Sequence, residues 1–394
     1  MKIILFDGSY ATTVFIRRLL AGLVKAGIEV SVMGFNESNP HPVAGVKYRP
    51  LGSNQSKRRL LQTSWYYAWQ KFTWASFKHT LKHSLRGNRQ ALQQQNLAFV
   101  LENDQPDVLH VQWPSLLPWL APYREQRQFK LLLSQRGSQT NIKPQVDEEF
   151  KQMLQAWYPQ LDGIHSVSRA IQQVGAQIGR PHTGVEAVVY TGLALNEFTF
   201  SEKRVNSETL ELISVGRSHW IKNYVLALRA CKLLKERGLS FHYQIIGAAG
   251  DEECIYLRQA FGLEEQVSLL PRVPIEEVRS AVQAADFMLL PSIEEGLANV
   301  AVEAMALGTP VISTRCGGMH ELISHQENGW LVPSRDALAL ANQIEQVTQL
   351  NKSTYAQVAK AARNKVEKQH QEQQMVQGMI RLYHRVLDKS ENEA

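Results

Sequence analysis

Residues 291–318, PSIEEGLANVAVEAMALGTPVISTRCGG, constrain the fold more than any other stretch of the chain. The apolar run just before them, residues 287–290, is too short for a helix and is bounded by Asp286 and Pro291, so it reads as a buried parallel strand. A polar loop follows. Asn299 stands where an N-cap belongs, residues 300–307 form a short helix, and Gly308 and Pro310 stop it before the next apolar run at 311–314. The unit is strand, loop, helix N-terminus, strand. Open parallel sheets bind ligands at such a place, because the helix start offers unpaired N–H groups and a partial positive charge to an anion.

The same alternation recurs along the chain. Residues 3–6, 13–26 and 29–33 form a first βαβ unit, with further strands at 107–112, 130–134 and 185–190. A second series begins with strands at 212–215, 242–246, 267–270, 287–290, 311–314 and 330–332, with helices near 252–261 and 275–284. A length of 394 residues suits two such domains, and 44% hydrophobic with 20% charged residues excludes a disordered or fibrous chain. The expected division is 1–200, 201–370 and 371–394, with the polar segment 201–211 as linker. The last part reads as an amphipathic helix over 372–387, with Met375, Met379, Leu382 and Val386 on one stripe and Val376, Ile380, Tyr383 and Leu387 beside it. Cys231, Cys254 and Cys316 are odd in number and lack metal-type spacing, which points to a reducing compartment. The opening MKIILFDG is a short strand rather than a secretion signal, so a cytoplasmic protein is expected.

Residues 38–101 carry ten Lys or Arg and no acid, while the whole chain is only +6. The basicity therefore belongs to one region. It also holds Trp65, Tyr66, Tyr67, Trp69, Phe72, Trp74 and Phe77, and read as helix over 54–101 it places Lys71, Lys78, Lys82 and Arg89 roughly on one face. Three uses fit. They are an interfacial helix on an anionic membrane or lipid-linked acceptor, a helical pair packed on the core with a solvated basic face, and a surface for single-stranded nucleic acid, which is the least expected.

Two carboxylates, Glu295 and Glu303, frame the 296–302 segment with seven residues between them. Alone, Glu303 also fits an acid favoured by the helix dipole. Together with Gly296, Ala304, Met305, Gly308, Pro310, Gly317, Gly318 and Glu321, however, the stretch resembles the donor-binding signature of retaining GT-B glycosyltransferases, glycosyltransferase family 4. Arg217 and Lys222, five residues apart after the 212–215 strand, match the same family's pattern. The resemblance implies an α/β protein of GT-B fold, with two doubly wound Rossmann-like domains facing a cleft and a C-terminal helix crossing back to the first.

It further implies a hexosyl-type transferase that is retaining and metal-independent. The donor would be a UDP- or GDP-linked sugar, and the acceptor a hydroxyl of a saccharide or lipid-linked saccharide. Arg217, Lys222 and Glu295 would be catalytic, the two cations with Gly8 holding the donor diphosphate. Glu303 would hold the ribose, while Glu295, Gly296, Leu297, Ala298 and Asn299 would line the sugar. No cofactor and no metal are expected, since no Asp-x-Asp pair occurs. Two features depart from the family. Gly8 stands alone where members carry a glycine pair, and Arg136 replaces a histidine that commonly touches the transferred sugar. Arg136 and His110 are the N-terminal domain's candidates, although His110 and His165, within strands, also read as satisfied buried side chains. A non-catalytic GT-B protein that binds a nucleotide or a partner remains the alternative.

Overall fold

The computed structural model describes residues 1–37, 41–201 and 209–388, which divide into two compact units. The first comprises the described parts of 1–167 and 172–189 together with the C-terminal helix from Glu372; the second comprises 168–171 and the described parts of 190–371. The expected boundary at 200 therefore lies earlier, after Val189. Leu193 and Phe198 account for the shift, since both are buried in the core of the second unit with Ile213 and Met288. The Leu193 amide also donates to the His370 carbonyl at 2.7 Å. Most of the expected linker, residues 202–208, lies outside the described residues.

The first unit is built on a seven-stranded sheet, all parallel, in the order β3-β2-β1-β4-β5-β6-β7. The strands are β1 (Lys2–Ser9), β2 (Glu29–Phe35), β3 (Lys47–Pro50), β4 (Val108–Val111), β5 (Lys130–Gln135), β6 (Gly163–Ser166) and β7 (Glu186–Val188). Strands buried on both faces need no alternation, which is why ILF in β1 and LLL in β5 read as continuous apolar runs. One face is covered by helix Val14–Lys25 and by the C-terminal helix Glu372–Asp388, whose Met375, Met379, Leu382 and Val386 are buried with Ile3, Leu5 and Leu20.

The basic region is not one helix. It forms three, Lys57–Lys71, Trp74–Leu85 and Arg89–Asp104. Phe72 adopts the left-handed region at φ 47°, and the Thr73 and Asn88 side chains cap the second and third helices. The single basic face expected over 54–101 is thereby broken up.

The second unit holds a six-stranded parallel sheet in the order β10-β9-β8-β11-β12-β13. Its strands are β8 (Leu210–Val215), β9 (Phe241–Ile246), β10 (Val267–Leu270), β11 (Phe287–Leu290), β12 (Val311–Thr314) and β13 (Trp330–Val332). In both sheets the strand order reverses once, between β1 and β4 and between β8 and β11. Ligand sites of doubly wound sheets form beyond the strand C-termini at such reversals. The motif residues Arg217, Lys222 and Glu295 all follow β8 or β11.

Candidate active site

In the second unit the loops after β8 and β11 are joined directly. The Lys222 ammonium lies 2.6 Å from Glu295 Oε1, with the two side chains 23% and 13% exposed, and Ser292 Oγ donates to the same oxygen at 2.8 Å. The Ile293 amide donates to the Ile221 carbonyl at 2.7 Å, so backbone as well as side chain ties the loops together. Lys222 closes a single 3₁₀ turn, Trp220–Lys222, and Asn223 at φ 53° turns the chain into helix Tyr224–Glu236. Arg217, at the start of that loop, lines a hollow with Gly247, Asp251, Glu252 and Arg272. The hydroxyl of Ser218 donates to Asp251, which also caps helix Glu252–Ala260, and this pins the loop. The structure thus brings Lys222 and Glu295 into contact and places Arg217 at a neighbouring hollow.

The helix after the loop runs Asn299–Leu307 and starts one residue earlier than expected. Ala298 is its N-cap, because its backbone is extended and its carbonyl accepts the Ala301 and Val302 amides; Asn299 is the first helical residue and no side chain caps the start. Glu303 is partly buried on this helix, between fully buried Val302 and Ala304. Gly296 and Ala298 are buried, while Leu297 and Asn299 are half-buried.

The Gly317-Gly318 turn explains itself through this loop. A Cβ at Gly317 would lie 1.6 Å from the Glu295 carbonyl oxygen, and one at Gly318 would lie 2.2 Å from the Gly296 carbonyl oxygen. Both glycines are therefore needed for the turn to lie against the backbone of 295–296. Glu321, a motif residue, has a structural task. Its carboxylate accepts the amides of Arg169 and Ala170 and the Tyr190 hydroxyl, at 2.8–2.9 Å. Among the described residues no group of three or more His, Cys, Asp or Glu side chains could hold a metal ion.

In the first unit the reversal between β1 and β4 carries a carboxylate that no sequence motif marks. Asp7 is only 7% exposed and accepts from Trp113 Nε1 at 2.6 Å. Burial pushes its carboxyl up to about 7, against the Trp113 hydrogen bond and the nearby Arg136 cation. Arg136 donates to Gln112 Oε1 at 2.8 Å and lies 4.5 Å over the Phe15 ring; burial pulls its guanidinium down to about 10, opposed by Asp7, so it stays charged at neutral pH. Its Nε is buried without a hydrogen-bond partner.

His110 is fully buried, and its nitrogens are taken by the Tyr383 hydroxyl and Ser134 Oγ, both at 2.8 Å. It opens to no ligand. His165 is held likewise by Ser134 and the Val189 carbonyl, and burial brings its imidazole down to about 3. Gly8 lies near the end of β1 at φ 74°, where the register against β2 shifts, with Leu116 against the place of its missing Cβ; glycine takes this left-handed conformation without strain.

Asp7 gives a pH prediction. The folded carboxyl keeps its proton to about pH 7, whereas the unfolded one releases it near 3.8, so rising pH over that interval favours the unfolded chain. The stability difference, wild type minus Asp7→Asn, should be highest below about pH 4 and fall by at most about 4 kcal/mol up to pH 7. Urea melts of both proteins across this range would measure it. A flat difference would mean that Asp7 ionises normally.

The fold and the loops after β8 and β11 define a class: two doubly wound, all-parallel units of the kind found in GT-B glycosyltransferases. Sucrose-phosphate synthase from Thermosynechococcus elongatus superposes with a TM-score of 0.76 over 98% of this chain and 100% of its own, at 18% identity. HepE of Anabaena, in complex with UDP and glucose, does so with a TM-score of 0.72 over 97% and 99%, at 17% identity. At such identities the likeness is one of fold.

The sequence comparisons are narrower and more specific. Residues 196–365 match the family described as Glycosyl transferases group 1, so the segment carrying Arg217, Lys222, Glu295 and Glu303 bears the resemblance that its motifs implied. The chain is 37% identical over 188 residues to the putative colanic acid biosynthesis glycosyltransferase WcaL of Escherichia coli (strain K12), covering 46% of each chain. It is 34% identical over 227 residues to the amylovoran biosynthesis glycosyltransferase AmsK of Erwinia amylovora, covering 56% of this chain and 55% of the relative. The chain spans about half the length of the curated relatives it matches.

Proposed function

We propose that this protein is a retaining, metal-independent glycosyltransferase that moves a sugar from a UDP- or GDP-linked donor to a hydroxyl of a saccharide or lipid-linked saccharide, in surface polysaccharide or glycoconjugate synthesis. The observation that carries the reading is the Lys222–Glu295 pair. It joins the loops on the two sides of the β8/β11 reversal, inside the segment that matches the family. A departing nucleoside diphosphate gains negative charge as the glycosyl bond breaks, and cations fixed beside it stabilise that state more than the bound substrate. Lys222 and Arg217 supply those cations, and the uncapped start of helix Asn299–Leu307 supplies backbone N–H groups.

Glu303, one turn inside that helix, is assigned to the ribose hydroxyls, and Glu295 with the 296–299 backbone to the donor sugar. The acceptor would be met by the first unit, where Asp7 and Arg136 lie at the β1/β4 reversal. The polysaccharide setting is supported by the names of the WcaL and AmsK relatives. With the leaving diphosphate taking the acceptor's proton, transfer occurs on the face the nucleotide leaves.

The test is turnover of a panel of UDP- and GDP-sugars in EDTA, with NMR of the anomeric signal of the product. Release of nucleoside diphosphate with retained configuration is the expected result. An inverted product, a strict need for divalent metal, or a trapped covalent glycosyl-enzyme would each overturn the part of the reading it addresses. If no nucleotide sugar is consumed, the non-catalytic binding protein takes its place.

A further inference from the structure

Helix Trp74–Leu85 is packed inside out. Its buried side chains are Ser76 and Thr80, which meet Gln95 of helix Arg89–Asp104 through hydrogen bonds of 3.4 and 2.7 Å. Its apolar residues recur at spacings of three and four, Trp74, Phe77, Leu81 and Leu85, and so share one face. That face is turned outward, with Trp74 87% and Leu85 80% exposed. A surface helix of a globular protein normally does the reverse.

The neighbouring helix Lys57–Lys71 extends the patch. It buries Leu60, Tyr67 and Ala68 but leaves Trp65, Tyr66 and Trp69 at the surface, and Phe72 after it is 78% exposed. The Trp65 ring is 6.4 Å from Phe77, and Phe72 meets Phe77 edge-on at 6.3 Å, so the two helices form one continuous apolar surface. Trp65, Trp74, Phe77 and Leu81 also line a hollow in it. A contiguous apolar patch of this kind on a surface marks an interaction site.

Charge decides what covers it. Lys78 and Lys82 stand on the exposed helix beside the apolar stripe, Arg86 follows at its end, and none has an ion-pair partner among the described residues. The surrounding segment, 38–101, holds ten Lys or Arg and no acid, which leaves about −4 for the rest of the chain. A second copy of the chain seated on the patch would bring these cations against each other. Tryptophan-rich apolar surface flanked by long cationic side chains suits a layer that is apolar within and anionic at its rim.

We propose that this surface docks on an anionic lipid bilayer, with Trp69, Phe72, Trp74, Leu81 and Leu85 entering the acyl boundary and Lys78, Lys82 and Arg86 at the headgroups. No helix among the described residues is long and apolar enough to cross a membrane, so the contact is interfacial. The docking stands apart from the transferase reading and needs no nucleotide.

The full chain is floated with vesicles of phosphatidylcholine containing roughly 30 mol% phosphatidylglycerol, and with phosphatidylcholine alone, at two salt concentrations. Expected are binding to the anionic vesicles that weakens with salt, and quenching of tryptophan fluorescence by brominated acyl chains. Each lysine neutralised, as in Lys78→Gln and Lys82→Gln, should cost about fivefold in partitioning. Trp74→Ser with Leu81→Ser should lower it at least about tenfold, since each removes a large apolar side chain from the contact. These positions are exposed, so melting temperature and any nucleotide-induced shift should stay at wild-type values. Equal binding to both vesicle types, no binding to either, or variants that bind as well as wild type would overturn the proposal. So would a wild-type dimer that the Trp74→Ser, Leu81→Ser protein fails to form, or a single-stranded oligonucleotide that displaces the protein from vesicles at stoichiometric amounts.

Discussion

Lys222→Ala is expected to abolish the rise in melting temperature that the proposed function expects UDP or GDP to give the wild-type protein in EDTA, and to lower the proposed transferase turnover by about 10²–10³-fold. A nucleotide at about a hundred times its dissociation constant adds roughly 2.7 kcal/mol of apparent stability, which a thermal-shift measurement resolves easily. Lys222 does two things in the structure. It presents a cation at the β8/β11 reversal, and it neutralises a Glu295 carboxylate that is only 13% exposed. Removing it loses the first and leaves the second partly buried without its partner, a cost of about 1 kcal/mol for a pair that still touches solvent.

Glu295→Gln separates the two contributions. It keeps Lys222 and an acceptor oxygen for the ammonium while removing the negative charge, so diphosphate binding should survive or tighten as turnover of the intact sugar donor falls. Glu303→Ala should also lose the shift, through the ribose contact proposed for it, without disturbing the Lys222–Glu295 contact. A Lys222→Ala protein that retains the full nucleotide shift would remove the donor diphosphate from this site. A shift that appears only when divalent metal is restored would overturn metal independence and leave the fold untouched.

Helices Ala337–Thr348 and Lys352–Gln369 were not foreseen, but the strands of the second unit were legible in the sequence to within two residues, and the reason is local. Its strands are short apolar runs closed by Gly, Pro or Asp, and β11, β12 and β13 carry the expected bounds. The start of helix Asn299–Leu307 was misplaced by one residue because Asn is a strong N-cap by type, while here the Ala298 backbone caps without a side chain. Asp7 escaped notice for a different reason. Nothing near it in sequence marks it, since its hydrogen-bond donor is Trp113 and its neighbouring cation is Arg136, both more than a hundred residues away.

The basic segment shows how charge and composition can be read correctly while geometry is not. The absence of acids and the run of aromatics were plain, but the break at Phe72 has no glycine or proline to announce it. Once broken there, the chain presents Trp74, Phe77, Leu81 and Leu85 on one face, an arrangement that one continuous helix over 54–101 had spread among several. The Thr73 cap, with its side chain accepting from the Ser76 amide, was the one local signal of the break.

Gly317→Ala is expected to disable the loop after β11, to which the proposed function assigns the donor, as severely as any change within it, although residue 317 carries no side chain to touch a ligand. Its φ of 43° costs a non-glycine residue about 1–3 kcal/mol when it is held there. The larger effect is steric. The new Cβ would fall 1.6 Å from the Glu295 carbonyl oxygen and 2.8 Å from the Glu295 carbonyl carbon, and backbone atoms cannot swing aside as the end of a side chain can. Either the Gly317-Gly318 turn or the 295–296 backbone must move, and the latter carries the carboxylate that Lys222 holds.

The variant should melt several degrees lower, at about 2–4 °C per kcal/mol for a unit of this size, and should show little nucleotide-induced shift even where it remains folded. Gly238→Ala is the control. Gly238 has a comparable φ of 75°, but nothing lies within 4 Å of the added Cβ, so this change bears the conformational cost alone and should keep the full nucleotide shift. If Gly317→Ala binds nucleotide as Gly238→Ala does, the turn is a passive connection. If only Gly317→Ala loses binding, the glycine pair is what holds Glu295 and Gly296 in the place where a donor would meet them.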